Sequence, residues 1–263
     1  MPQHPTPHNR HPAGRQLLDR IKAREQTRGL LIAFEGPDGA GKTTQRRLFK
    51  AWLESEGCRV ITSKRTSSSV FKPVVKARKR ARSLSASELA LLQAAEFRLR
   101  LETEILPALW QGTTVLADRY LFTGLARAAA RDLELDWLLH LYSPLFWPDI
   151  VFNFAVSPET ATTRVAADGA PEYYQAGQDV TGIADAVGSY EKFVGRVIRE
   201  YEAFALIFQF VTIDGEQPIY EQHRRIRALF EEGRRRPWGQ WNMEAVVEWL
   251  QNGGTAKEMR GGG

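Results

Sequence analysis

Residues 30–45, LLIAFEGPDGAGKTTQ, constrain this chain more than any other stretch. The apolar run Leu30–Phe34 reads as a central parallel strand buried on both faces. It feeds straight into Gly36-Pro37-Asp38-Gly39-Ala40-Gly41-Lys42-Thr43, which fits G-x-x-x-x-G-K-S/T, and a helix of about 42–56 follows. Glycines let main-chain N–H groups converge on an anion without side chains in the way, and the positive end of the helix dipole faces the same point. Gly36, Asp38, Gly39, Ala40, Gly41, Lys42, Thr43 and Thr44 are therefore the candidates for holding a nucleotide's phosphates. Lys42 can reach the β- and γ-phosphates, and Thr43 can place its hydroxyl on Mg²⁺. The bland alternative is a glycine-rich turn with a surface lysine.

The rest of the chain alternates in the same way. Strands are expected at 59–62, 114–117, 150–155 and 210–213. Helices are expected at 87–110, 121–131, 134–142, 183–206 and 218–232, with another after Ser157-Pro158-Glu159. Ser85 and Glu88 form a capping box ahead of the long helix, and Gly112 stops it. Strands alternating with helices imply an α/β fold: a five-stranded parallel sheet flanked by helices, with a lid segment and ligands at the carboxyl edge. Three parts are expected: a tail and helix at 1–28, a nucleotide-binding domain at 29–232, and an extension at 233–263 with a short helix at 243–250. A length of 263 residues, 43% hydrophobic and 25% charged, suits one α/β domain with appendages and rules out disorder throughout.

The one cysteine, Cys58, rules out a disulfide scaffold and is expected in the core. No apolar run approaches the roughly 18 residues of a membrane span, and the first residues carry no apolar leader, so a cytoplasmic location is expected. A net charge of +5 favours anionic partners. Six basic residues lie between Lys72 and Arg82, but no aromatic interleaves them. A solvated helix face, or a rim that attracts phosphate, is expected there rather than a nucleic-acid stripe.

A second constellation is Asp118-Arg119-Tyr120, which ends the third strand at the ligand edge. A carboxylate there can hold Mg²⁺ or its water, and a guanidinium can clamp a second phosphate. A plain surface salt bridge is the competing reading. Together with FEGPDGAGKTTQ (34–45), ILPALWQG (105–112), Pro148-Asp149 and SPETATTR (157–164), these residues make the chain resemble the thymidylate kinase family. The likeness covers about 29–232 and implies an ATP- and Mg²⁺-dependent nucleoside monophosphate kinase acting on dTMP, in a homodimer. It implies catalytic roles for Lys42, Asp118 and Arg119, with Thr43 and Asp118 at the metal. Asp38 faces the acceptor sugar and Arg119 the acceptor phosphate. Arg164 lies near the donor adenine or, equally, caps its own helix as a C-terminal cation.

The chain departs from the family pattern in three places. Members with glycine at position 39 usually supply arginines from the lid, yet Val165–Asp179 contains neither Arg nor Lys. Arg127 or Arg131 is the candidate substitute; otherwise the chemistry is slow, or the function differs. The family's arginine on the long helix is Phe97 here, which leaves Arg100 as a substrate-binding candidate or as a solvated partner of Glu96 or Glu104. Phe97 and Tyr173 are the aromatics considered for base stacking. The loop after the second strand, Ser63–Ser69, keeps Arg65 for an acceptor phosphate but has no glycines, so the acceptor pocket is differently shaped. A same-fold kinase with another acceptor, and a nucleotide-binding regulatory module, remain as alternatives.

Overall fold

The computed structural model describes residues 29–65, 70–143 and 145–234. The tail and helix expected at 1–28, the short helix expected at 243–250 and the serines at 67–69 lie outside these residues.

Strand β1 (Leu31–Glu35) is buried along its whole length, as a strand with layers on both faces must be. Its neighbours β2 (Val60–Lys64), β3 (Thr114–Asp118), β4 (Ile150–Ala155) and β5 (Val211–Asp214) are all parallel, in the order β2-β3-β1-β4-β5. Alternation along β1 splits the core. Leu31 and Ala33 pack into one layer, under Phe97, Leu121 and Phe204. Ile32 and Phe34 pack into the other, with Phe49, Phe152 and Phe230. Cys58 is half-buried and packs against this second layer.

The register fixes the site. Phe34 pairs with Asp118, Lys64 also pairs with Asp118, and Ala155 pairs with Asp214. The polar ends of β2, β3 and β5 therefore stand level beside the turn that follows β1. These strands run one or two residues past the expected ends. Apolar runs mark the buried part of a strand, and the ligand edge is polar.

Helix α1 (Lys42–Ser55) buries Phe49 and Leu53 against the sheet. Helix α2 (Lys72–Arg80) has no buried residue, which agrees with the solvated face expected there. Helix α3 (Ala86–Arg100) opens on the expected capping box: Ser85 Oγ accepts from the Glu88 N–H at 3.1 Å, and Glu88 Oε2 accepts from the Ser85 N–H at 2.9 Å. The single helix expected over 87–110 is instead α3, a π-helical turn (Leu101–Ile105) and α4 (Leu106–Trp110). Pro107 has no N–H to give the carbonyl four residues back, and its ring crowds that turn. The wider π turn accommodates it. Gly112, at φ 72°, ends α4 as expected.

Helices α5 (Leu121–Ala129) and α6 (Leu135–Tyr142) follow β3. Helix α7 (Pro158–Ala167) begins at its Ser157 cap. The lid segment ends in a single helical turn, α8 (Gln178–Thr181). Helix α9 (Ala186–Ile207) starts three residues later than expected because Asp185 caps it, its carboxylate accepting from the Gly188 N–H at 2.6 Å. Helix α10 (Ile219–Arg234) returns along α1.

Phe49 anchors the second layer, with ring centroids 5.2 Å from Phe230 and 6.1 Å from Phe34. Phe49→Ala should cost about 3–5 kcal/mol of folding stability, read by urea denaturation, because the surrounding rings cannot close the hole.

Candidate functional site

The turn after β1 has the backbone its glycines permit. Gly36, Gly39 and Gly41 lie at φ 126°, 79° and 85°. Gly36 also has no room for a side chain: a Cβ there would sit 2.6 Å from the Phe154 carbonyl oxygen. Helix α1 starts with no side chain capping its first turn, so its leading N–H groups face the cleft unclaimed by a cap. Thr43 and Thr44 are exposed on that turn. Lys42 is only 5% exposed and folds back to donate to the Pro37 carbonyl within its own loop. Burial, then the repulsion of Arg119, pushes its ammonium down to about 7 against the pull of Asp38, Asp118 and Glu35. The loop is shaped for an anion and holds a lysine that an anion would recharge.

Asp118 and Arg119 close the other side. Arg119 takes φ 68°, an uncommon backbone for a residue with a Cβ. Two fully or nearly fully buried charges hold it there. Glu35 accepts from the Tyr120 N–H at 2.8 Å and from the hydroxyls of Thr123 and Tyr201 at 2.6 and 2.9 Å. Arg100, 4% exposed, donates to the Arg119 carbonyl at 2.9 Å. The turn thereby aims the Arg119 guanidinium back over the loop, onto Asp38 Oδ1 and, at 3.2 Å, the Gly36 carbonyl. Asp118 pairs with Arg46 Nε at 3.2 Å, and Arg46 also donates to Thr62 at 3.0 Å.

Asp38 lies at the centre of the charge. Its second carboxylate oxygen faces Arg127 at 3.5 Å and the Gln175 amide at 3.3 Å, and its carbonyl accepts from Tyr190 at 3.2 Å. Burial opposes its ionisation, but Arg119, Arg127, Lys42 and Arg65 outweigh this and hold the carboxyl well below its usual range. The cations around it crowd one another. Burial and the neighbouring arginines bring Arg127 down to about 10. Arg65, at the end of β2 within 3.4 Å of Gln93, is lowered by burial and Arg119. Lys79, half-buried on α2, is pushed down to about 8 by burial, Arg65 and Arg127. Like charges held this close favour an anionic occupant.

Lys42, Asp38, Asp118 and Arg119 thus converge as expected, and Arg65 and Arg127 join them. Arg100 corrects one alternative: it is buried behind the Asp118–Arg119 turn and is no solvated partner of Glu96 or Glu104. Arg164 donates to the carbonyls of Gly39 at 3.2 Å and Gly215 at 2.9 Å, tying the phosphate loop to the loop after β5; neither acceptor belongs to its own helix. Phe97 is a core residue, T-shaped on Tyr120 at 4.9 Å, and Tyr173 lies under Arg82 at 4.6 Å. Arg131 is spent on the lid, paired with Asp179 at 2.7 Å with only 1% of its side chain exposed. Sequence reasoning missed Glu35, Arg46, Gln175 and Tyr190, whose roles depend on contacts 72 to 166 positions away. For Glu35 a signal existed, since a carboxylate ending a fully apolar strand must find partners when buried.

A parallel sheet with a phosphate loop on its central strand, and an aspartate–arginine pair level with it on the next, defines a P-loop phosphotransferase. A family model described as thymidylate kinase matches residues 34–226. The probable thymidylate kinase 2 of Saccharolobus solfataricus is 35% identical over 78% of this chain and 97% of its own length. The thymidylate kinase of Xanthomonas oryzae is 37% identical over 56% of this chain and 65% of its own, and the probable thymidylate kinase of Pyrococcus abyssi 34% identical over 54% and 72%. The chain belongs to the thymidylate kinase family and is a nucleoside monophosphate kinase. Among the described residues no helix is long and apolar enough to cross a membrane.

Lys42 carries a pH signature. Burial and Arg119 hold its ammonium down to about 7, and phosphates placed beside it would raise it. Affinity for a polyphosphate should therefore be greatest well below pH 7 and fall as pH rises through it. Calorimetry at pH 8 in two buffers of different ionisation enthalpy should show uptake of close to one proton on binding. Lys42→Arg, charged throughout, should abolish the uptake.

Proposed function

We propose that this chain transfers the γ-phosphoryl group of ATP to dTMP, giving ADP and dTDP, with Mg²⁺. The observation that carries the reading is the level placement of two cation sets across one cleft: the phosphate loop with Lys42 on one side, and Arg119, Arg65 and Lys79 on the other. The relatives named as thymidylate kinases support dTMP as the acceptor.

The residues present fit these ligands. The uncapped first turn of α1, the main-chain amides of Gly36–Thr44 and Lys42 match a polyphosphate. Among the described residues no group of three His, Cys, Asp or Glu could enclose a metal ion. That suits Mg²⁺, which keeps waters and phosphate oxygens and takes only one or two protein oxygens; Thr43 and Asp118 would supply those. Bound there, Mg²⁺ neutralises charge on the donor phosphates.

Each side chain then has a task. Lys42 and the loop amides hold the donor's outer phosphates. Arg119 exchanges Asp38 for the acceptor phosphate, with Arg65 and Lys79 behind it. Arg127 supplies the cation at the transferred group that the lid lacks. An acceptor-phosphate oxygen forms the new P–O bond as the bond to the β–γ bridging oxygen breaks, and ADP leaves. No covalent enzyme intermediate forms, so rate comes from positioning and charge. Arg164 braces the loop from the side of the donor base.

A panel of nucleoside monophosphates tests this. Rapid dTMP-dependent formation of ADP is expected. Turnover with a different acceptor alone would replace dTMP, and ATP binding without acceptor-dependent turnover would remove transferase activity. Lys42→Ala should abolish turnover with the fold intact by circular dichroism. Arg127→Ala should lower kcat by about 10³-fold, the scale of a catalytic arginine in phosphoryl transfer.

A further inference from the structure

The lid of this kinase carries no Arg or Lys from Val165 to Asp179, yet it is bonded to one of the two guanidiniums that face Asp38. The Nη2 of Arg127 donates to the lid carbonyls of Tyr174 at 3.0 Å and Gln175 at 3.3 Å, while its Nη1 faces Asp38. Those carbonyls are themselves fixed. Arg131 donates to the Tyr174 carbonyl at 2.8 Å and pairs with Asp179 further along the same segment. The Tyr174 side chain, 4% exposed, reaches the connection between α2 and α3. Its hydroxyl accepts from the Leu84 N–H at 2.8 Å and donates to the Leu84 carbonyl at 3.1 Å. Around it Leu84 and Leu89 form a small separate core with Tyr173 and Leu92.

We propose that Tyr174 is a positioning residue for Arg127: by locking its hydroxyl onto the Leu84 backbone, it holds the lid carbonyls where they aim the Arg127 guanidinium into the cleft. The inference rests on the phosphotransfer reading above and adds a link that the reading does not need. The α2–α3 connection follows directly on Lys79, whose ammonium is repelled by Arg65 on the acceptor side. The lid descends from α7, on the donor side. Through Tyr174 the two covers are one body, so the transfer cation is aimed only when both are seated. The family pattern of lid arginines is inverted: here the scaffold helix α5 carries the cation and the lid supplies the acceptors that steer it.

A double-mutant cycle on the full-length enzyme tests this. Tyr174→Phe keeps the ring and its packing and removes only the hydroxyl. It should lower kcat about tenfold, the scale of one or two lost hydrogen bonds, and leave KM for ATP unchanged. In an Arg127→Ala background the same substitution should change kcat less than twofold, since the group it steers is gone. Equal losses in both backgrounds, an unchanged kcat in both, or a loss confined to KM would overturn the proposal. Should Arg127→Ala itself leave kcat intact, the transfer role of Arg127 falls first and takes this inference with it. If Arg127→Ala is impaired and the cycle is additive, only the steering by Tyr174 is lost.

Discussion

The ion pair between Asp38 and Arg119 is the contact around which the site is organised. It crosses from the loop after β1 to the turn after β3, so it exists only because the sheet sets Phe34 beside Asp118. Every expensive feature nearby serves it. Arg119 has a left-handed backbone, Glu35 is fully buried, and Arg100 is buried behind the turn. A buried charge is tolerated only when its hydrogen bonds are met, and Glu35 meets them with the very turn that needs holding. Strain at Arg119 is thus balanced by a network that has one low-energy arrangement. That arrangement aims a guanidinium at the phosphate loop before any ligand arrives.

The same constraint explains where the remaining cations come from. A segment that must dock on Leu84 through Tyr174, and on Arg131 through Asp179, is pinned at both points. Tyr174 and Asp179 are occupied in holding the roof, and what the segment offers to the cleft is main-chain carbonyls and the Gln175 amide. A guanidinium rising from α5 can use those carbonyls; an arginine on the roof could not.

Much of the fold was legible because its signals are local. Leu30–Phe34 with the glycine loop fixed the central strand, Ser85 with Glu88 marked a helix start, and Gly112 an end. Boundaries failed where a tertiary effect competed. Pro107 turned one helix into three pieces, and the polar ends of β2 and β3 remained strand because partners claimed their backbone. In the site, Lys42, Asp118 and Arg119 could be read from motif and register. The behaviour of Arg100 and Arg164 could not, since each bonds a carbonyl brought near by folding. The sequence offered Arg127 and Arg131 alike and could not say which of them faces the cleft. What separated them was Asp179, 48 positions from Arg131, which takes one guanidinium and leaves the other to the cleft.

The chain can satisfy its own binding groups. Lys42 donates to Pro37, and Arg119 and Arg127 face Asp38. Each bond is a placeholder of lower charge than the phosphate it stands in for: a neutral carbonyl in one case, a single carboxylate shared between two guanidiniums in the other. A phosphate carries more charge and more acceptor oxygens than either, so exchange favours the ligand while the cleft never exposes bare cations to one another. The exchange also discriminates. A neutral nucleoside brings no charge to exchange for Asp38: it would leave the half-buried Arg119 guanidinium without its carboxylate, and Asp38 with only Arg127 and Gln175. The demand for a phosphorylated acceptor therefore follows from the ion pair itself, before any contact with the base is considered.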